Sequence, residues 1–355
     1  MRWSRTITVV DCHAEGESGQ VVTGGVPDLP GHTVFDKRVY LQEHLDDLRK
    51  MILFEQRGAV HHNANVLVPS SHPDAQMGYI ILESTEYPAM SGSNTMCVAT
   101  ALLETGILPK VAPTTRLTLE SPAGLITVEC DCHDGKVTKV RFVNQPAFCY
   151  RLDTVITVPD VGTLTVDIAY GGMTYVLADV AQLGYKLHSA EARELCEVGQ
   201  KIKKAAAEQI TVEHPENPKI PGITQMQFTG PLQKDGDALT ARNTVIVSPG
   251  RVDRSPCGTG TSARLAVLHA KGLIKPGQLF VHESIVGTKF ESSVVGTTRV
   301  GEYDAVISAV AGQAWITGLY QMAMDPTDPF QRGFTIADTW LRQIDDLKPV
   351  HTAAE

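Results

Sequence analysis

Nothing in this 355-residue sequence concentrates positive charge. Lys and Arg number 31 against 40 Asp and Glu, a formal charge of −9, and no block of like charges breaks the mixture. Binders of nucleic acid need a concentrated basic surface, so that class is excluded. An anionic small molecule is not, because a local site can be positive or rich in backbone N–H groups whatever the net charge. No run of about 18 apolar residues occurs, which excludes a helical membrane span. The opening Met1-Arg-Trp-Ser-Arg-Thr6 leads into a strand-like run with no apolar signal segment or small-residue cleavage site. The seven cysteines are odd in number and scattered, which reads as free thiols in a reducing compartment. The cytoplasm is the expected location. No low-complexity linker divides the chain.

What is present is a globular composition, 43% hydrophobic and 20% charged, over a length that suits two domains. Short β-rich runs bounded by turn residues predict strands at Ile7–Val10, Asn65–Pro69, Met77–Ile81, Leu117–Glu120, Leu125–Glu129 and Val137–Phe142. The pair Asp134-Gly135 signals a hairpin. Helical periodicity is clearest at Leu41–Phe54 and at Ala190–Glu208, with Ser189 as the expected N-cap. The Pro-rich stretch from His214 to Pro221 reads as a surface loop.

The most informative pattern is an internal repeat. One copy runs Ser-Gly-Ser-Asn-Thr-Met-Cys-Val-Ala-Thr-Ala-Leu-Leu-Glu-Thr-Gly from 91 to 106. The other runs Cys-Gly-Thr-Gly-Thr-Ser-Ala-Arg-Leu-Ala-Val-Leu-His-Ala-Lys-Gly from 257 to 272. Gly92 matches Gly258, Thr95 matches Thr261 and Leu102 matches Leu268. Outside the motifs, Leu119-Glu120-Ser121 with Gly124 parallels His282-Glu283-Ser284 with Gly287. More weakly, Val9-Val10-Asp11 parallels Thr165-Val166-Asp167. Two related halves account for all three matches. The expected division is 1–150 with 319–355 as the first lobe, carrying Ser91, and 151–318 as the second, carrying Cys257. The tail after Gly318 is expected to return to the first lobe.

Each copy reads as a helix start with a polar cap candidate, closed by a C′ glycine. Unpaired N–H groups and the positive end of the dipole favour an anion there, and Gly92 and Gly258 allow close approach to the backbone. The same field should favour a Cys257 thiolate near neutral pH. If two such termini face one another, an anionic substrate lies between them with one proton-transfer group on each face of its α-carbon. Inversion at a carbon needs that arrangement. Dense N–H donation to the carboxylate would stabilise the enediolate-like state, and no cofactor is required.

At this level of detail the second copy, Asp253-Arg-Ser-Pro-Cys-Gly-Thr-Gly-Thr-Ser-Ala263, resembles the second catalytic motif of the proline racemase family. Met90-Ser-Gly-Ser-Asn94 stands where the family archetype has Cys-Gly-His. The resemblance extends over nearly the whole chain, through Asp11-Cys-His-Ala-Glu-Gly-Glu17, Ser121-Pro-Ala-Gly124, His214-Pro-Glu216 and Ala314-Trp-Ile-Thr-Gly318. It implies an α/β (α+β) fold like that of diaminopimelate epimerase: two pseudo-symmetric lobes, each a curved mixed sheet around a central helix. It also implies Ser91 and Cys257 as the acid/base pair. Gly92, Ser93, Asp253, Gly258 and Thr259 become substrate-holding residues, with the aspartate on a ring nitrogen and backbone amides on a carboxylate. No metal and no cofactor are implied; the partner is a small-molecule substrate, and a homodimer is compatible with the resemblance.

Position 91 departs from the two-thiol pattern. A hydroxyl is a far weaker acid than a thiol, so Ser91 is a poor base but a reasonable proton donor. The shift is away from proline and toward hydroxyprolines. Members with a hydroxyl residue at one position resemble trans-3-hydroxy-L-proline dehydratases, some of which also epimerise C2. The expected reaction is therefore dehydration to Δ1-pyrroline-2-carboxylate with accompanying 2-epimerisation. The alternatives are a 4-hydroxyproline 2-epimerase and a non-catalytic amino-acid binder. Which of Ser91 and Cys257 removes the proton stays open.

Other reactive side chains are expected to be structural. Cys97 should be buried in its helix. Cys130 and Cys132 lie in an alternating strand and, with His133, lack a second cluster at zinc spacing. His13 and Glu15 are expected to hold loops, with His61 and His62 bordering the cleft. The glycines around Gly258 lack the βαβ context and distal acid of a dinucleotide site. Cys257 has no local histidine to make it a hydrolytic nucleophile.

Overall fold

The computed structural model describes residues 4–218, 220 and 222–341; part of the expected loop at 214–221 and of the expected tail therefore lies outside the described residues. The described residues divide into two compact units, 4–142 with 312–341 and 143–311. These boundaries differ from the expected 150/151 and 318/319.

The first unit contains β1 (Arg5–Ala14), β2 (Glu17–Ser18), β3 (Gln20–Gly24), α1 (Val34–His44), α2 (Asp47–Leu53), β4 (Ala64–Val68), β5 (Met77–Leu82), α3 (Gly92–Glu104), β6 (Thr114–Ser121), β7 (Gly124–His133) and β8 (Lys136–Val143). The second contains β9 (Ala147–Val158), β10 (Gly162–Tyr170), β11 (Thr174–Asp179), α4 (Ala192–Gln209), β12 (Gln225–Thr229), β13 (Gln233–Asp235), β14 (Ala238–Val247), β15 (Arg251–Val252), α5 (Gly258–Ala270), β16 (Phe280–Glu283), β17 (Lys289–Val300) and β18 (Tyr303–Gly312). Then β19 (Ala314–Met324) and the short α6 (Ala337–Trp340) return to the first unit.

The repeat is visible in the ladders. In the first unit the strand order is β19-β1-β3-β4-β5-β6-β7-β8, parallel only at β3·β4 and β5·β6. In the second it is β9-β10-β11-β12-β14-β16-β17-β18, parallel only at β11·β12 and β14·β16. Corresponding places in the two orders carry the matched segments: β1 and β10 hold the Val-Asp pairs, β6 ends on Glu120-Ser121 and β16 on Glu283, directly before Ser284. The second sheet also closes on itself, because β18 pairs with β9 through Ala305↔Phe148 and Val306↔Ala147.

Each sheet wraps one helix of thirteen residues, α3 or α5. Gly92 to Leu103 are all buried, and α5 is buried from Gly258 to Ala263 and again from Leu265 to Leu268. Such helices are apolar nearly all round, as a core helix must be. The remaining helices cover the outer face. In the first unit Leu41, Leu48, Met51 and Ile52 join Val9, Val66 and Ile80 in one core, with Trp340 under Phe54. In the second, Leu195, Val198 and Ile202 of α4 meet Phe228 and Ile246.

Five of the six predicted strands lie within observed ones and Asn65–Pro69 runs one residue past β4; Asp134 and Gly135 both take positive φ, 48° and 79°, as a two-residue hairpin turn requires. Two helix predictions need correction. Leu41–Phe54 is not one helix: α1 starts at a Thr33–Asp36 capping box, and the chain breaks at Leu45 before α2. There Asp46 binds Arg49 through both oxygens at 2.7 and 2.9 Å and also accepts from Tyr87 Oη, fixing a corner that apolar periodicity runs straight through. At α4 the cap is not Ser189. His188 Nδ1 accepts from Ala190 N at 3.1 Å, so a 3-10 turn at Ser189–Glu191 precedes the α-helix at Ala192.

The sheet approaches the start of each central helix through a glycine. A Cβ on Gly19 would meet Cys97 Sγ at 2.7 Å, and one on Gly171 would meet the Thr259 carbonyl oxygen at 2.2 Å and Ala263 N at 2.4 Å. Residues 97 and 263 are matched positions of the repeat. Gly171→Ala forces backbone apart and should lower stability by about 2–3 kcal/mol. Urea unfolding of the full chain checks this, and an unchanged midpoint would contradict the close contact.

Candidate active site

The candidate residues in each unit gather at the first turn of its central helix. In both, the residue before the helix has its carbonyl taken by the amide four residues on: Thr95 N to Ser91 O at 3.0 Å, and Thr261 N to Cys257 O at 2.8 Å. The matched threonines are tied down by buried rings. Thr95 Oγ1 donates to Ser91 O at 2.7 Å and meets Tyr79 Oη at 2.6 Å, while Thr261 Oγ1 meets His282 Nδ1 at 2.8 Å. Burial holds that His282 well below its usual pKa, hence neutral, with the Arg264 charge acting in the same direction.

The first turn of α3 places Gly92 and Ser93 directly after Ser91, with Ser93 Oγ 3.4 Å from Ser91 Oγ. The N–H groups of residues 92–94 precede the first intrahelical bond, so they have no partner within the helix. Ser91 has extended backbone (φ −150°, ψ 124°) but does not cap the helix with its hydroxyl. Instead its Oγ accepts from Asn94 Nδ2 at 2.9 Å.

The turn that opens α5 is built differently. Cys257 has φ 64° and ψ 114°, a backbone conformation rare outside glycine that costs of order 1–3 kcal/mol and is found mostly at functional sites. A short relay holds it: Cys257 N donates to Ser255 Oγ at 3.1 Å, and Ser255 N and Oγ donate to Asp253 Oδ1 at 2.8 and 2.9 Å. Asp253 thus shapes the turn carrying the thiol. Gly258 and Thr259 follow as the first helical residues. Thr259 Oγ1 lies 2.6 Å from Tyr175 Oη and 3.7 Å from Cys257 Sγ.

Cys257 Sγ receives Gly260 N at 3.4 Å and sits 3.4 Å from Tyr175 Oη. These donors favour a thiolate, but they do not prevail. Burial pushes the thiol up to about 12 and the Asp253 carboxylate adds to the rise. The expectation of a thiolate near neutral pH is therefore corrected for the free protein: loss of water outweighs the helix field.

The structure thus groups Ser91, Gly92 and Ser93 on one turn, and Asp253, Cys257, Gly258 and Thr259 on another. The sequence reading missed the residues that fix these turns: Asn65, Asn94, Tyr79, Tyr175 and Ser255. Asn94 was signalled by its spacing, three residues after Ser91 where the other copy has Gly260. Tyr175 lies 82 residues from Cys257 and left no local signal.

Among the other reactive side chains, Cys97 is fully buried and its thiol is raised well above the ordinary value by burial. Cys130 and Cys132 are buried, whereas His133 is exposed at the hairpin, so the three do not converge. No group of three metal-ligating side chains occurs among the described residues. His13 Nδ1 accepts from Gly16 N at 3.2 Å and its ring stacks on Trp315, and Glu15 Oε1 accepts from Gln313 N at 2.9 Å; both hold loops. The His61 and His62 rings meet edge to face at 4.6 Å. No helix among the described residues is long and apolar enough to cross a membrane.

A family model described as proline racemase matches residues 9–335. A hydroxyproline epimerase from Agrobacterium vitis, solved with bound trans-4-hydroxy-L-proline, is 40% identical with a TM-score of 0.88, over 96% of this chain and 98% of that one. A probable proline racemase from Agrobacterium radiobacter K84, with bound carbonate, is 41% identical with a TM-score of 0.87, over 94% and 98%. A methylitaconate Δ-isomerase shares the fold alone, at 14% identity and a TM-score of 0.53 over 90% and 95%.

The high thiol pKa has a direct consequence. Below its pKa the thiolate fraction grows tenfold per pH unit, so alkylation of Cys257 by iodoacetamide in the ligand-free protein should keep rising past pH 9. Peptide mass spectrometry at Cys257 follows it; a plateau by pH 8 would show that the thiol is already ionised.

Proposed function

Because the chain belongs to the proline racemase family, we propose that it epimerises C2 of a hydroxyproline, trans-4-hydroxy-L-proline foremost, with Cys257 and Ser91 serving opposite faces of one substrate. The observation that carries this reading is the pair of matched helix starts, each presenting one proton-transfer side chain beside first-turn N–H groups. Those N–H groups suit a carboxylate, whose enediolate-like form they stabilise as the α-proton leaves.

The two side chains divide the work by acidity. Cys257 is the better base once ionised, and substrate itself supplies the means. A cationic ring nitrogen drawn to Asp253 offsets the carboxylate that raises the thiol, so the thiolate is favoured when substrate is bound. From one epimer the Cα–H bond breaks, its proton passes to Sγ, and the Ser91 O–H delivers a proton to the other face. The alkoxide left on Ser91 regains a proton from solvent, and the Cys257 thiol loses one. The reverse direction runs the same steps backward.

A second reading is dehydration of trans-3-hydroxy-L-proline to Δ1-pyrroline-2-carboxylate. It is favoured by the Asn94 bond to Ser91 Oγ, which leaves the Ser91 proton available for a departing ring hydroxyl. The C2 hydrogen and C3 hydroxyl of that substrate share one ring face, so a single face of the site takes the C2 proton and protonates the hydroxyl as the C3–O bond breaks, and the enamine tautomerises to the imine.

One experiment separates them. The protein is incubated in D2O with trans-4-hydroxy-L-proline, trans-3-hydroxy-L-proline or L-proline, following C2 deuteration, inversion and imine. Inversion of the 4-hydroxy substrate with one deuterium gained supports the epimerase. Imine from the 3-hydroxy substrate alone replaces it with the dehydratase, and neither deuteration of nor imine from any of the three defeats both. Cys257→Ser should lower kcat by at least about 100-fold.

A further inference from the structure

The two reactive residues receive their hydrogen bonds from unlike sources. Cys257 Sγ accepts from the backbone N–H of Gly260, three residues on, as a capping side chain does. At the matched place in the first unit stands Asn94, and there the side-chain amide donates to Ser91 Oγ at 2.9 Å. Asn94 is wholly buried and cannot turn freely. Its Oδ1 accepts from Asn65 Nδ2 at 2.7 Å, and Asn65, also wholly buried, donates to the Gln20 carbonyl oxygen at 3.3 Å. Asn65 sits on β4, beside α3 on the concave side of the sheet.

From this chain of amides we infer that Asn94, locked by Asn65, is a positioning residue that makes the neutral Ser91 hydroxyl present its proton to substrate and stabilises the alkoxide that remains. A serine hydroxyl has one proton and two lone pairs. With Asn94 N–H filling a lone pair and the hydroxyl freed from helix capping, its proton is left to point elsewhere. Once Ser91 has given that proton away, the same N–H faces an alkoxide, and a hydrogen bond to a charged oxygen is about twice as strong as a neutral one. Asn94 thus acts as a single-donor oxyanion hole for the enzyme's own oxygen. A thiol needs less help, and its counterpart at 260 is a glycine.

The inference rests on the proposed acid/base roles, and its test keeps the two apart. Asn94→Asp keeps size and shape, but the carboxylate it introduces only accepts, so Ser91 turns its proton toward that carboxylate. Asn65→Asp is expected to act from one step further away. Its carboxylate attracts the Asn94 NH2 group, the amide flips, and Asn94 Oδ1 then faces Ser91. In both variants kcat for inversion should fall about 100-fold or more while KM changes little, the sign of a lost transition-state interaction. In D2O, the epimer whose proton goes to Cys257 should still exchange it without inverting. Asn94→Asp should also recover activity on acidification, as the introduced carboxylate becomes a neutral acid able to donate; wild type should not.

A readout that needs no substrate is the 15N–1H signal of the Asn94 side-chain amide in Asn-labelled protein. Ser91→Ala and Asn65→Asp should each shift it and speed its exchange with solvent. If the signal is indifferent to both, or if Asn94→Asp inverts and exchanges in the wild-type ratio, the inference fails. If wild type inverts no hydroxyproline, the functional reading fails, and the amide signal still decides the role of Asn94.

Discussion

A helix buried on nearly every side has a problem at its first turn, where the N–H groups have no carbonyl to meet and little water to reach. In this protein α3 and α5 both face it, and the rest of each unit is arranged around the answer. A matched threonine closes the first bond to residue 91 or 257, a buried Tyr79 or His282 anchors that threonine, and Gly19 or Gly171 brings the sheet against the turn. What remains unpaired within each helix is suited to an anion. The demand of the backbone for partners and the demand of a carboxylate for donors are the same demand.

The two units solve it with the same strand order and different local chemistry. Around Cys257 the backbone is bent into a costly conformation and pinned by Asp253 and Ser255, so that the sulfur caps its own helix. Around Ser91 the backbone is relaxed and the polarity comes from side-chain amides. Burial makes the thiol reluctant to ionise in the free protein, and in the proposed function it becomes a base only when a cationic ring nitrogen arrives. The hydroxyl needs no such restraint, since it is a poor base in water already.

Much of this was legible in the sequence because it is written locally. The repeat, the closing glycines Gly106 and Gly272 and the strand runs each follow from residues close along the chain. Residues whose meaning depends on distant partners were not legible. Tyr175 reaches Cys257 from another strand, and Asn65 gives Asn94 its orientation from 29 residues away. The helix field on Cys257 could be foreseen from Gly258 and Thr259. The burial that overrides it could not, because burial belongs to the whole unit. The corner at Leu45 was hidden for a related reason: apolar periodicity records which face is covered, and the same face continues across α1 and α2.

The last strand carries a consequence for how the chain is made. The first unit includes β19, which pairs with β1 from Arg5↔Met324 to Ala14↔Ala314. All of the second unit's strands are encoded before it. During synthesis the N-terminal strand therefore emerges with its β19-facing edge unpaired, and stays so while the whole second unit leaves the ribosome. The usual order, in which N-terminal domains finish first, is reversed here. The half that begins the chain is the half that is completed last, and the closed second sheet can be in place before the Ser91 turn has its full surroundings.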